Sequence, residues 1–210
     1  MTLSFGEIES LAFKASRGAG LTWGLAAEAG KAVRWLAERG LAGPEVLAAH
    51  LPRVAGKDYA MLKPHLDSMH WRPAGEALCP LIAGVTLSDH AGILPNMLTL
   101  GPVRNPLLLV PFVDRAANRL GHPLTVDWPD TQFVCATTGL EVHGDPTAET
   151  AMAVTISRAG HWPSARRLEG RRAIDPAVTD SLNRFAQRTY VPATEASRLA
   201  GAGAGIRDND

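Results

Sequence analysis

The sequence predicts an α+β fold, with an N-terminal helical cluster, a mostly antiparallel sheet, and a C-terminal helix followed by a Gly-Ala tail. Three observations support this class: apolar residues recur at helical spacing near the N-terminus, short apolar runs separated by glycine and proline follow, and an Asp-Pro pair opens a last amphipathic segment. With 210 residues, 46% of them hydrophobic, the chain has the composition of a globular protein, and we expect one domain. The predicted parts are a helical layer at 1–57, a sheet at 78–160, C-terminal helices at 175–200 and a flexible tail at 201–210.

The N-terminal helices have clear start signals. Ser4 and Glu7 form a capping box, in which the serine oxygen accepts a terminal amide and the glutamate reaches back to the serine amide. Thr22 caps a second helix that ends at Gly40, and Pro44 suits the first turn of a third helix. Because the links are short, we expect these helices to pack together as antiparallel neighbours.

The pattern of apolar residues changes in the middle of the chain. Residues 81–87, 97–100 and 107–110 are short apolar runs between glycines and prolines, which is typical of buried strands. A helix is predicted from Pro111 to Gly121, with its apolar residues on one face. Further strands are predicted from their alternating pattern at 124–128, 131–137, 140–143 and 151–157.

The C-terminal part begins at Asp175, which provides a cap followed by a first-turn proline. The helix that starts there must stop before Pro192, and Thr194 can cap a last short helix that ends at Gly201. Alternating glycine and alanine gain little by packing, so residues 201–210 are expected to be flexible. The other interpretation of this tail is bare backbone that lies close to a partner or an anion.

Charge and composition exclude some function classes. Basic and acidic residues both number 21, so the net charge is zero, which disfavours binding to nucleic acid or to an anionic membrane. The start of the chain lacks the pattern of a signal peptide, and no apolar run reaches the roughly 18 residues of a membrane span. We therefore expect a soluble, cytoplasmic protein. Cys79 and Cys135 both lie in apolar surroundings, which predicts buried free thiols.

Several short segments carry a resemblance to known sequences: SFGEIE at 4–9, KASRGAG at 14–20, WGLA at 23–26 and YVPATE at 190–195, followed by the Gly-Ala tail. With these segments the chain resembles a bacterial protein family of unknown function, over nearly its whole length. The resemblance implies no reaction, ligand, cofactor or catalytic residue.

Two pairs of titratable residues follow predicted strands. Asp89 and His90 come directly after the run 81–87, where a rigid strand could position them for proton transfer. Neighbours on a strand point to opposite faces, so a capped turn is the other interpretation. Glu141 and His143 share one face at two-residue spacing, which predicts an acid/base pair or, alternatively, a solvated sheet face.

Arginines supply candidate anion-binding groups. Arg104 and Asn105 lie in a loop between two apolar runs, and Arg158 opens an arginine-rich stretch that continues to Arg172. Guanidinium groups bind carboxylates and phosphates with two parallel hydrogen bonds, so we expect these residues to hold an anionic substrate, or else to form solvated loops. The seven histidines show no metal-ligand spacing, so no metal site is predicted from spacing; the other interpretation is a site assembled from distant loops by His70, His90, His143 and His161.

Together these patterns predict a protein that handles a small anionic metabolite. The histidines of the two pairs would act as general acid or base, their carboxylates would orient them, and Arg104 or Arg158 would hold the negative charge. The alternative is a non-catalytic accessory subunit or ligand-binding protein that docks on an enzyme partner or on a second copy. An outward-facing indole at Trp23 or Trp35 of the second helix would favour this alternative.

Overall fold

The computed structural model describes residues 1–164 and 170–190. The helices in this part are α1 (Phe5–Gly18), α2 (Trp23–Glu38), α3 (Gly43–Val54), α4 (Tyr59–Leu62), α5 (Pro80–Asp89), α6 (Val110–Leu120) and α7 (Pro176–Ala186), with 3-10 turns at Ala91–Ile93, Pro106–Leu109 and Gln187–Thr189. The strands are β1 (Thr2–Leu3), β2 (Pro64–His65), β3 (His70–Pro73), β4 (Met97–Leu100), β5 (Val103–Arg104), β6 (Leu124–Trp128), β7 (Thr131–Ala136), β8 (Gly139–Gly144), β9 (Thr150–Ala151), β10 (Val154–Arg158) and β11 (Arg172–Ala173). The predicted α+β class is confirmed.

The main sheet has seven strands in the order β2-β3-β4-β10-β6-β7-β8. Its neighbours pair antiparallel except β3 and β4, which run parallel. The sheet is therefore mostly antiparallel, as the alternating strands predict. Two short pairs lie outside it, β1 with β11 and β5 with β9.

The N-terminal helices begin as their capping residues predict. The Ser4 amide donates to Glu7 Oε2 at 2.7 Å, and the Glu7 amide donates to Ser4 Oγ at 3.3 Å, which completes the capping box. The Thr22 hydroxyl accepts from the Leu25 amide at the start of α2. Helices α1, α2 and α3 pack against one another, and α7 packs on α1.

Two segments predicted as strands are helical, so those two predictions are wrong. Residues 81–87 lie within α5, which is buried on almost all sides and therefore shows no helical alternation of polar and apolar residues. Pro80 occupies the first turn of this helix, where a missing amide hydrogen costs little. Residues 107–110 form the end of a 3-10 turn and the start of α6, and every one of them is fully buried.

Most of the other predicted elements are confirmed. Helix α6 ends at Gly121, which has the left-handed φ of 70°, and strands β6, β7 and β8 form at the predicted positions. The segment 151–157 divides into β9 and β10, because exposed Met152 lies between the two pairings. Asp175 caps α7 by accepting from the Ala177 amide at 2.8 Å. The helix and tail predicted from Thr194 onward lie outside the described residues.

One cluster of buried apolar side chains joins the helices to the sheet. Cys79 and Cys135 belong to it, and both are free thiols, as predicted. The Trp35 indole donates to Asp114 Oδ2 at 3.1 Å and links α2 to α6. No helix in residues 1–164 or 170–190 is long and apolar enough to cross a membrane.

Candidate active site

Three separate segments meet at the N-terminus of α5. The Leu78 amide donates to the Pro102 carbonyl at 2.7 Å, and the Arg104 amide donates to the Leu78 carbonyl at 3.2 Å. These two backbone bonds hold Leu78, two residues before α5, against strand β5. Cys79 immediately precedes α5, and Asn105 immediately follows β5.

His50 completes the arrangement from α3. It lies on the buried face of that helix and is fully inaccessible to solvent. Its Nδ1 lies 3.2 Å from Asn105 Oδ1, and its Nε2 lies 3.3 Å from Cys79 Sγ. Because an amide oxygen can only accept, Nδ1 carries the proton and Nε2 accepts from the thiol. We call these three residues the Cys79 triad.

Asn105 is fixed by its own backbone. It adopts the left-handed region with φ 46°, and its amide donates to the Glu149 carbonyl at 2.8 Å. Its carbonyl accepts from the Leu108 amide at 3.0 Å in the 3-10 turn that follows. With 4% of its surface exposed, the side chain is held in the orientation that presents Oδ1 to the imidazole.

Cys79 and His50 line a cavity of about 490 Å³, which we call the Cys79 cavity. Its other walls come from the end of α3, from α4, from residues 75–78 and from Arg104. This volume falls in the range of small-molecule sites. Cys79 therefore belongs to the wall of a cavity whose volume could hold a metabolite.

Two arginines of the cavity form ion pairs with exposed glutamates. Arg104 donates to Glu76 Oε2 at 2.8 Å, and Arg53 donates to Glu149 Oε2 at 3.1 Å. The glutamate side chains are 81% and 79% exposed, against 24% and 42% for Arg104 and Arg53. Each guanidinium thus lies closer to the protein interior than its carboxylate partner. Lys57 adds a third cationic group to the lining.

Burial keeps the thiol and the imidazole uncharged in the empty cavity. It lowers the pKa of His50 to about 4, and the charges of Arg104 and Arg53 act in the same direction, against the hydrogen bond that the ring donates to Asn105. Burial also raises the pKa of the Cys79 thiol to about 11, although the amides of Leu81 and Ile82 oppose this rise. The resting pair is therefore a neutral thiol beside a neutral imidazole.

A thiol, a neutral imidazole and an amide oxygen in this order have the parts of an activated nucleophile. The imidazole can take the thiol proton as general base, and the amide oxygen holds the ring in the required tautomer. The thiol also lies at the N-terminus of a ten-residue helix, whose dipole favours a thiolate there.

The structure brings some of the residues predicted from sequence into this site and leaves others elsewhere. Arg104 and Asn105 are part of it. Asp89 and His90 lie at the opposite end of α5 from Cys79, about 15 Å along a helix of this length. The His90 Nδ1 bonds to the Thr86 carbonyl at 2.9 Å.

Of the remaining predicted residues, Glu141 and His143 lie on edge strand β8, and Arg158 lies at the end of the central strand β10. Glu141 Oε2 is 3.8 Å from His143 Nε2, as their two-residue spacing suggests, and 2.8 Å from His161 Nε2. The hydrogen bond from His161 lowers the pKa of Glu141. Arg158 and His161 both line an open hollow of about 590 Å³. Arg166 and Arg167 of the arginine-rich stretch lie outside the described residues.

The sequence patterns do not single out His50, and they predict Cys79 only as a buried core thiol, which is what the structure shows. The available signal was the Cys79-Pro80 pair, because a proline in the first turn would have placed the cysteine at the start of a helix. Taking residues 81–87 as a strand hid this signal. Within the described ranges, no group of three or more His, Cys, Asp or Glu side chains is arranged to hold a metal ion.

Comparisons with known proteins give little information about function. No curated protein matches this chain significantly. A malate dehydrogenase from Entamoeba histolytica resembles 68% of this chain at 14% identity, with a TM-score of 0.43, and the match spans 45% of that protein. A likeness of this size supports no functional inference. Residues 3–79 match a family described as "Protein of unknown function (DUF3726)". The chain therefore resembles, through this N-terminal segment, a protein family whose function is not known.

Proposed function

We propose that the protein is an enzyme that uses Cys79 as a nucleophile on the acyl group of a small anionic metabolite. The observation that carries this proposal is the hydrogen-bonded Cys79 triad at the wall of a cavity that also contains two guanidinium groups. Histidine acid/base catalysis and arginine recognition of an anion, both expected from the sequence, are kept in the proposal. The histidine that it assigns is His50.

The reaction follows from the geometry of the triad. His50 Nε2 takes the proton from Cys79 Sγ, and the sulfur forms a bond to the carbonyl carbon while the carbonyl π electrons move to its oxygen. When this intermediate collapses, the bond to the leaving group breaks, and the leaving group takes the proton from Nε2. Water, deprotonated by the same nitrogen, then attacks the thioester, and the sulfur departs and regains its proton. The net reaction is hydrolysis of an ester or amide.

Arg53 and Arg104 support the choice of an anionic substrate. Both arginines line the cavity, and their partners are exposed carboxylates that water solvates well. Ion pairs of this kind contribute little to stability, so a substrate carboxylate can replace the glutamates at low cost. Guanidinium groups bind carboxylates with two parallel hydrogen bonds, which would orient the acyl group toward the sulfur.

Acyl transfer to Cys79 can be tested with nitrophenyl hemisuccinate, an activated ester that carries a carboxylate. We expect nitrophenolate release together with a succinyl adduct on the Cys79 peptide, detected by mass spectrometry. His50→Gln should slow the acylation by a factor of about 100 or more, since general-base catalysis contributes at least that much. Cys135→Ala is the matched control and should acylate at the parent rate, because Cys135 is fully buried and outside the cavity.

The same experiment separates this site from the two histidine pairs predicted from the sequence. His90→Ala and His143→Ala should leave the acylation rate unchanged if His50 is the base. A missing adduct on Cys79, or an acylation rate that does not depend on His50, would contradict the proposal. Loss of acylation in the His143 variant alone would instead favour the pair on β8.

A non-catalytic accessory subunit remains a second proposal, favoured by one exposed side chain. Trp23 at the start of α2 is 69% exposed, as expected for an interface anchor. Its ring lies 5.4 Å from that of Phe13 and 5.0 Å from the Arg17 guanidinium, so these two side chains support the exposed indole. If this surface binds a second copy, light scattering should give a dimer for the parent and a monomer for Trp23→Ala. A monomer in both cases would reject that contact.

A further inference from the structure

The two arginines of the Cys79 cavity share its lining with His50, and the charge of each acts on the imidazole. Arg53 follows His50 by one helical turn on α3, and Arg104 is the neighbour of Asn105, which bonds to the ring. Both side chains line the cavity together with His50. Positive charge at these positions disfavours an imidazolium, which must form when His50 takes the proton of the thiol.

The glutamate partners relieve this repulsion only weakly. Glu76, which also lines the cavity, and Glu149 pair with the guanidinium groups through carboxylates that are each about four-fifths exposed. Water screens such carboxylates, so their effect on a fully buried ring is small. The guanidinium charges and the burial of the ring therefore both hold the imidazole in its uncharged form, and burial keeps the thiol protonated.

We propose that a substrate carboxylate, bound between Arg53 and Arg104 in place of the glutamates, converts the Cys79–His50 pair from its uncharged form to thiolate and imidazolium. This inference rests on the proposed function and adds the event that activates the nucleophile. The bound carboxylate offsets the charge of the guanidinium groups from inside the cavity, where screening is weak. One proton moves from Sγ to Nε2, and no oxidant or reductant takes part.

The inference also defines the substrate class more closely. The substrate is an ester or amide whose acyl part carries a carboxylate, so that one end binds the arginines while the carbonyl carbon reaches the sulfur. A neutral acyl compound of the same size would enter the cavity without activating the thiol. Activation by the substrate also protects Cys79 from unwanted modification, because a thiol that stays protonated until the substrate binds reacts slowly with neutral electrophiles.

Alkylation of Cys79 by iodoacetamide, a neutral reagent, tests the activation directly. The sulfur displaces iodide, a carbon–sulfur bond forms, and the thiol proton passes to His50. Arg53→Gln and Arg104→Gln remove the charges that disfavour the imidazolium. We therefore expect each variant to react several-fold faster than the parent, approaching tenfold if the pKa of His50 rises by one unit. Arg53→Lys and Arg104→Lys keep the charge and should react as slowly as the parent.

Arg115→Gln is the matched control, because Arg115 also pairs with a glutamate, Glu28, but does not line the cavity. Its rate should equal that of the parent. A slower reaction of the glutamine variants would contradict the proposed activation, since the arginines would then stabilise the thiolate. An unchanged rate would contradict it as well, since the arginines would then act only in binding.

A second measurement uses the unaltered protein and so does not depend on the folding of variants. Iodoacetate carries the carboxylate that iodoacetamide lacks. Its limiting rate at saturation should exceed that of iodoacetamide if the carboxylate activates the thiol. If the arginines only attract the reagent, iodoacetate should show half-saturation at a lower concentration with no higher limiting rate, which would overturn the inference. Alkylation that does not depend on His50 would contradict the proposed function itself.

Discussion

At the scale of single residues, Asn105 combines a backbone role with a side-chain role. Its φ of 46° belongs to the left-handed region, which asparagine tolerates better than most residues, and its Oδ1 accepts from the buried imidazole. Few residue types satisfy both requirements at one position. Asparagine is one of them, which explains why this residue can stand between a strand and a 3-10 turn and still complete the triad.

Substitutions of Asn105 should separate the two roles. Asn105→Gly loses only the acceptor and leaves a buried imidazole N–H unpaired, at a cost of about 1–3 kcal/mol in the free energy of unfolding. Asn105→Ala should cost about 1 kcal/mol more, because a Cβ disfavours the left-handed conformation. Urea unfolding of both variants measures the difference. Equal stabilities would mean that the backbone conformation is not strained by a Cβ.

Two buried titratable residues should give opposite pH dependences of stability. The pKa of His50 is lowered from 6.5 to about 4, so the unfolded chain binds more protons in this window and stability is lost as the pH falls through it. The pKa of Asp114 is raised from 3.8 to about 6, mainly by burial. The folded chain holds that proton more tightly, so stability is lost as the pH rises through the second window.

Removing one of these groups should expose the effect of the other. Between about pH 6 and 4 the two contributions oppose each other, and Asp114→Asn leaves only that of His50. On acidification over this range the variant should therefore lose about 2 kcal/mol more unfolding free energy than the parent. Urea unfolding at both pH values provides the test. Exposed Asp180→Asn is the control and should follow the parent; if Asp114→Asn also did so, Asp114 would not be protonated in the folded chain near pH 6.

At the scale of elements, α5 depends on a close approach to α6. A Cβ at Gly84 would overlap the ring of Phe112, which is fully buried. The two helices therefore pack closely at this point because Gly84 has no side chain. Gly84→Ala should lower the free energy of unfolding by about 1–3 kcal/mol through overpacking. Because Cys79 precedes this helix, the same variant should also alter the rate of Cys79 alkylation.

The matched control for this contact is Gly24 on α2, where an added Cβ meets nothing within 4 Å. Gly24→Ala should leave stability unchanged or raise it by up to about 1 kcal/mol, since alanine favours the helix. Thermal unfolding of both variants separates crowding from helix propensity. A stable Gly84→Ala variant would show that α5 and α6 can move apart without cost.

The same helix explains where sequence reasoning failed. The alternation of polar and apolar residues and the capping residues correctly predict elements that have one solvent-exposed face, such as α1 after Ser4 and the strands β6 to β8. Residues 81–87 are buried on almost all sides. Their polar and apolar residues therefore show no periodicity that would distinguish a helix from a strand. Length did not resolve the ambiguity, because a run of seven residues fits both. The proline at position 80 was the one local signal for a helix start.

At the scale of the whole molecule, the candidate site could be predicted only in part. Arg104 and Asn105 were selected because a polar loop lies between two apolar runs, and that reasoning needs only local sequence. His50 and Cys79 are 29 residues apart, and Asn105 lies 55 residues from His50, so their meeting depends on tertiary packing. Buried polar side chains of this kind look like core residues until the partner that satisfies them is known.

Ligand binding gives a whole-molecule test of where the anion site lies. Succinate should raise the melting temperature of the parent, by an amount equivalent to about 2.7 kcal/mol when its concentration is 100 times the dissociation constant. Arg104→Gln should reduce this shift if the anion binds in the Cys79 cavity, whereas Arg158→Gln should not. The reverse result would place the anion at the open hollow near His161 instead. A thermal shift assay with both variants distinguishes the two sites.

The pairing of Leu78 with the backbone around Val103 affects when the candidate site forms during synthesis. A nascent chain that has emerged only as far as the cysteine already contains both sulfur and imidazole, yet lacks the oxygen that fixes the ring and the backbone that anchors the helix start. Reactivity should therefore arise late, once the second half of the polypeptide has folded against the first.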